Sequence, residues 1–226
     1  MKEDAQNMLE TIVAPLRSLD WEDIDAMEHV TRKALITLLE DPGAIRQALL
    51  ALPERPDLLK LCEHYDILDK VVLYDDESGM RLRLHIFLPG YFDRPHNHRW
   101  SYASMILRGE YRHYLFGSAE LDTEVDPASL KALLVRQEQA GSAYALHHTM
   151  VHAVVAEPFT VSLVLRGPAI KDRFLVMDRR TGKSWWQYGA SQESAYAAEQ
   201  KRMSVERMSV ERLAELTGWL RDWDLF

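Results

Sequence analysis

Two histidines separated by a single residue stand in the run Pro95-His96-Asn97-His98-Arg99-Trp100. On an extended segment residues two apart point the same way, so His96 and His98 present both imidazoles to one side and can grip one metal ion. A third ring, His152, follows 152 − 98 = 54 residues later in the apolar run Met150-Val151-His152-Ala153-Val154-Val155, where a polar side chain needs a partner. A metal is such a partner. Three neutral nitrogens leave coordination positions open for substrate or oxygen, as a catalytic centre requires and a closed structural site does not. Nine histidines in 226 residues also give close pairs by chance, and the third histidine in a strand is what singles this set out.

Other polar side chains are placed by alternation. In the stretch 80–88, Arg81, Arg83 and His85 share one face while Leu82, Leu84, Ile86 and Leu88 share the other. If the polar face lines an interior, Arg83 or His85 approaches the metal and binds an anionic group; otherwise it is a solvated outer face. Tyr102 shares parity with His98 and Trp100 and is a candidate to donate a hydrogen bond beside the metal, against ordinary packing. Tyr111 and His113 are candidates to line the same cavity, against the surface. His147 and His148, in an expected loop, are rival ligands to His152, and Glu110, Glu138 and Glu157 are undistinguished candidates for a fourth ligand or general base. Cys62, the only cysteine, lies in a Leu-rich helical stretch and reads as core. No Gly-rich phosphate loop or Ser-His-Asp order occurs.

The elements that must position these residues follow from periodicity. From Asp4 to about Tyr65 apolar residues recur at three and four, as in amphipathic helices, with turns at Asp41-Pro42-Gly43 and between Pro53 and Pro56. After Asp66 come short Val-, Leu-, Tyr- and Phe-rich runs, read as strands over 70–74, 80–88, 100–107, 110–116, 133–138, 142–146, 151–155, 160–166 and 173–177. Nine strands in this space predict a sandwich or closed barrel, with hairpin turns at 75–79 and at Arg108-Gly109. A helical pattern returns over 191–223 and contains the tandem Arg202-Met203-Ser204-Val205-Glu206 and Arg207-Met208-Ser209-Val210-Glu211, too short to be a solenoid. The expected organisation is a helical segment, 1–66, packed on a metal-binding barrel, 67–190, followed by a helix in 191–226.

Gly90, five residues, His96-x-His98 and then Gly109 resemble the first metal motif of the cupin superfamily, and His152 is similar to its second-motif histidine. Tyr102 occupies the position of the superfamily's glutamate, so the ligand set carried over is three histidines. The resemblance implies a mainly β, double-stranded β-helix (jelly-roll) barrel with N- and C-terminal helices. A three-histidine cupin preceded by helices looks most like the thiol dioxygenase branch, cysteine dioxygenase among them, which implies Fe(II) and O2; Zn, Mn or Ni are the other metals such a barrel takes. Val71 and Ala169 stand where that branch has its carboxylate-binding arginine and its tyrosine, so cysteine is not carried over as substrate. Arg166, 166 − 152 = 14 residues after His152, resembles the arginine with which 2-oxoglutarate oxygenases hold their cosubstrate, and alternatively it holds an acidic substrate directly.

Charge narrows the partners. A sum of 27 − 35 = −8 lacks the basic footprint of a nucleic-acid surface and disfavours an anionic membrane. No run of about 18 apolar residues and no export-type leader is present, and one cysteine forms no internal disulfide, so a cytoplasmic location is expected. The expected function is that of a mononuclear non-haem iron oxygenase acting on a small acidic metabolite. The alternatives are a metal-dependent lyase or isomerase, a 2-oxoglutarate-dependent hydroxylase, or a non-enzymatic ligand-binding barrel; a homodimer is expected by analogy.

Overall fold

The computed structural model describes residues 2–90, 94–118, 126–188 and 206–226. Four helices come first: α1 (Lys2–Val13), α2 (Ile24–Glu40), α3 (Gly43–Ala51) and α4 (Pro56–Leu59). Asp23 starts α2 by accepting hydrogen bonds from the backbone N–H groups of Asp25 and Ala26, which answers donors left over at a helix start. The inward stripe of α2, Met27, Thr31, Ala34, Leu35 and Leu38, has helical spacing and is buried.

Twelve strands follow among the described residues: β1 (Glu63–Tyr65), β2 (Leu68–Asp75), β3 (Arg81–Phe87), β4 (Tyr102–Arg108), β5 (Glu110–Ser118), β6 (Leu134–Gln139), β7 (Ala143–Leu146), β8 (Met150–Ala156), β9 (Val161–Arg166), β10 (Arg173–Asp178), β11 (Lys183–Tyr188) and β12 (Glu206–Arg207). One sheet runs β12-β1-β2-β3-β9-β4-β7 and a second β6-β5-β8, with β10-β11 as a separate hairpin. His96 extends the second sheet by bridging antiparallel to His152 of β8, and on its other side it bridges Val176 of β10. Counting β3, the His96 segment and β4 to β9 in chain order, the first sheet holds the first, eighth, third and sixth elements and the second sheet holds the fifth, fourth, seventh and second. That order is a jelly roll, the double-stranded β-helix.

The first sheet is the middle of three layers. Leu82, Leu84, Ile86, Leu163 and Leu165 face the helices and share one core with Leu9, Leu16, Leu35 and Leu38. On the opposite face Phe87, Tyr102, Ile106, Tyr144 and Val164 meet Tyr111 and Val154 of the second sheet. Gly109, at φ +74°, makes the tight turn between β4 and β5; a Cβ there would lie 2.5 Å from Thr160 Oγ1. Helix α5 (Val210–Asp222) is capped by Ser209 and packs Leu213, Leu216 and Leu220 into the helix-side core, and Arg212 reaches buried Asp69 at 2.7 Å. Among the described residues no helix is long and apolar enough to cross a membrane.

Three expectations are corrected. The helical reading up to about residue 65 runs over β1, which folds back on β2 and carries short-range alternation too brief to register in a helical window. β11 was absent from the expected strands, although Gly182, at φ +67°, turns β10 directly into it. The tandem does not lie on one helix: most of its first copy falls outside the described residues, while in the second Arg207 pairs with Glu63, Met208 is buried, Ser209 is the cap, and only Val210 and Glu211 are helical.

Candidate metal centre

The three histidines of the sequence motif converge. The donor nitrogens of His96, His98 and His152 all lie within 4.8 Å of one another, and the Nε2 atoms of His98 and His152 are 2.8 Å apart. Two elements bring them together. His96 and His152 exchange backbone hydrogen bonds of 2.8 and 2.9 Å across the second sheet, and the His98 N–H donates to the His148 carbonyl at 3.2 Å. Asn97, between the two ligands, turns the other way; its side chain accepts from the Leu175 N–H at 2.9 Å and its own N–H donates to the Leu175 carbonyl, which pins the segment to β10.

Each ring is oriented from behind. The Nδ1–H of His96 donates to the Arg94 carbonyl at 2.8 Å, leaving Nε2 bare. His152 Nδ1 meets His113 Nε2 at 2.9 Å, and His113 Nδ1 faces Glu138 Oε1 at 3.6 Å, both side chains being 1% exposed. Assigned from this network, His152 donates Nδ1–H to His113, His113 turns its Nδ1–H toward Glu138, and His152 Nε2 keeps a free lone pair. Arg136 approaches Glu138 Oε1 at 3.1 Å. Trp100 stacks on His98 at 4.6 Å between centroids, and the Tyr102 hydroxyl lies 3.3 Å from His152 Nε2.

Burial lowers the pKa of all three rings, His96 to about 4 and the other two well below the usual 6.5, with the neighbouring imidazoles adding to the effect. The rings are therefore neutral at pH 7 and their lone pairs are available. With the lone pair of His152 Nε2 directed at His98 Nε2 2.8 Å away, the contact is favourable only with a proton or a cation between the two nitrogens. The donor set thus fits a divalent transition metal, and the backing by a carbonyl and a His–carboxylate pair is what ligating histidines ordinarily have.

Two arginines stand beside this cluster. Arg83 and Arg166 project into the interior between the sheets, 8% and 5% exposed, with guanidinium carbons 5.7 and 5.4 Å from the Trp100 ring. Arg83 therefore lines the interior rather than a solvated outer face. Arg166 donates to the Gly79 and Gly167 carbonyls at 3.0 Å each, and neither arginine makes an ion pair among the described residues. Burial, together with the nearby arginine charges, lowers the pKa of both. Their Nε atoms, His85 Nε2 and Ser104 Oγ are buried without a hydrogen-bond partner.

The remaining candidates lie elsewhere. His147 and His148 gather around Glu22. Glu110 and Glu157 meet where the start of β5 pairs with the end of β8, and the Glu157 N–H donates to the Glu110 carbonyl. Cys62 is fully buried, accepting from the Val72 N–H at 3.2 Å. The sequence did not distinguish Glu138 from the other glutamates, because only the β5-β6 register, with Tyr111 opposite Glu138 and His113 opposite Arg136, brings it to His113. Nothing in the sequence singles out Glu22, and Trp100 is placed there only by its shared parity with His98 and Tyr102.

No protein-family model and no curated protein matches the chain. Among solved structures it is similar to KdgF from Halomonas sp. (19% identity, 46% of this chain and 82% of that one, TM-score 0.36). It is also similar to an RmlC-like cupin from Shewanella frigidimarina (17% identity, 48% and 87%, TM-score 0.35). A third is ectoine synthase from P. lautus (16% identity, 52% and 75%, TM-score 0.38). The jelly roll of this chain stands on its own strand order.

Proposed function

We propose that the protein is a mononuclear metal-dependent oxygenase of the cupin type, with Fe(II) held by His96, His98 and His152 and a small acidic metabolite as substrate. One observation carries the reading: three imidazoles that are neutral at pH 7 converge beside two buried guanidiniums that make no ion pair among the described residues. Bound Fe(II) would supply redox chemistry with O2 that no side chain of the chain provides. Three protein ligands leave positions for both reactants.

The chain's own residues bind and orient. A carboxylate entering between Arg83 and Arg166 would meet charge-assisted donors whose burial without an anion is costly, so affinity and orientation come from relieving that cost. Trp100 would give the substrate a flat wall and, by stacking on His98, hold that ring in place. The Tyr102 hydroxyl, 3.3 Å from His152 Nε2, is positioned to donate to, or take a proton from, an oxygen atom of a ligand at the metal. That placement also favours a second reading, a lyase or isomerase in which the metal polarises a carbonyl and Tyr102 moves the proton.

Anaerobic reconstitution with Fe(II), followed by O2-uptake measurements with a panel of small carboxylic acids, with and without 2-oxoglutarate, tests the proposal. Substrate-dependent O2 uptake that disappears in His96→Ala supports the oxygenase. Turnover without O2 that survives replacement of iron by zinc and falls in Tyr102→Phe replaces it with the second reading. Uptake that requires 2-oxoglutarate and is lost in Arg166→Ala assigns Arg166 to the cosubstrate.

A further inference from the structure

His147 and His148 converge on a carboxylate far from them in sequence. Their Nε2 atoms stand 3.4 and 3.2 Å from the same Oε2 of Glu22, and their rings lie 4.2 Å apart. His148 is 8% exposed, its N–H donates to Ser101 Oγ at 3.1 Å, and its Nδ1 is buried without a hydrogen-bond partner. His147 Nδ1 faces the Thr149 hydroxyl at 2.8 Å and accepts from the Thr149 N–H at 3.4 Å, and Nε2 points at Glu22.

Zinc bonds of about 2.0–2.1 Å to nitrogen and oxygen in a tetrahedron put neighbouring donor atoms about 3.3 Å apart. The two histidine-to-glutamate separations match that edge. Glu22 is also firmly placed: Trp21 lies so close over Gly167 that a Cβ there would come within 2.3 Å of its ring, and Asp23 caps α2 on the other side. The carboxylate remains half exposed, so a metal ion can enter.

We propose that Glu22, His147 and His148 form a second divalent-cation site, of the tetrahedral His-His-Glu kind that takes Zn(II), with water from the open side as fourth ligand. The site would staple the helical segment to the turn between β7 and β8. Because the His148 carbonyl accepts the His98 N–H, the same ion would steady one ligand of the first centre. The inference does not depend on what the first centre catalyses.

The test is metal stoichiometry on the full chain, stripped by chelator and dialysed against Zn(II). Wild type is expected to bind two equivalents, the Glu22→Gln/His147→Ala variant one, and the His96→Ala/His152→Ala variant one. Glu22 is half exposed and His147 partly exposed, and the far-ultraviolet circular dichroism of the first variant checks that it keeps the wild-type fold. With Co(II) instead of Zn(II), the His96→Ala/His152→Ala variant should still show the intense visible absorption of a tetrahedral site, and adding Glu22→Gln/His147→Ala to it should abolish that absorption. Equal stoichiometry in wild type and Glu22→Gln/His147→Ala, or no tetrahedral band in His96→Ala/His152→Ala, would overturn the proposal. A failure of the first centre would appear in the other arm, as no difference between wild type and His96→Ala/His152→Ala.

Discussion

His152 is useful to a metal only in one tautomer, and His113 and Glu138 behind it select that tautomer. Replacing Glu138 by Gln removes the charge that favours Nδ1–H on His113, so metal affinity at this centre should fall about 10- to 100-fold. His96→Ala and His152→Ala, in contrast, should lose that metal while staying folded; competition with a chelator of known affinity measures both. Arg166→Ala should raise KM for an acidic substrate or cosubstrate by about 10- to 100-fold, the worth of a charge-assisted hydrogen bond, with metal content unchanged. An unchanged KM would remove Arg166 from that role. The three ligands were readable in sequence because alternation places His96 and His98 on one side and an apolar strand makes His152 conspicuous. His113 is in sequence only a candidate to line the cavity, with the surface as the alternative, and its backing of His152 depends on the β5-β8 register, which no local pattern encodes.

At the level of elements, the helical segment and the barrel meet where Trp21 covers Gly167, one residue after Arg166. Gly167→Ala must displace that indole, and overpacking of this kind costs about 1–3 kcal/mol. The expected result is a lower thermal midpoint with the secondary structure retained; an unchanged midpoint would mean that the contact is slack. The strands and most turns were readable, since Val-, Tyr- and Phe-rich runs alternate between punctuating glycines. β1, β11 and β12 were not: the three and two residues of β1 and β12 owe their conformation to pairing with a neighbour rather than to their own pattern, and β11 is set by its hairpin with β10. The role of the Arg81-Arg83-His85 face was likewise open in sequence, for alternation gives two faces and only the helices covering Leu82, Leu84 and Ile86 decide which is interior.

Over the whole molecule, four histidines, His85, His96, His98 and His152, have pKa values pushed below 6.5 mainly by loss of solvation. The unfolded chain takes up these protons first as the pH falls, so the metal-free protein should keep its full stability above about pH 6.5 and lose it progressively toward pH 4, by at most about 1.4 kcal/mol per group per pH unit. Denaturant titrations of the metal-free protein across that range measure the slope, and His85→Gln should make it shallower without touching a ligand. A stability independent of pH between 4 and 6.5 would contradict the burial of neutral rings.

All of this depends on one cation being shared by three imidazoles. Crystals grown anaerobically with Fe(II), with anomalous differences collected on either side of the iron edge, test it most directly. The account predicts an iron peak about 2.1 Å from the Nε2 atoms of His96, His98 and His152, a distance typical of a metal–imidazole bond. Three rings without an anomalous peak between them, or iron bound only elsewhere, would contradict it.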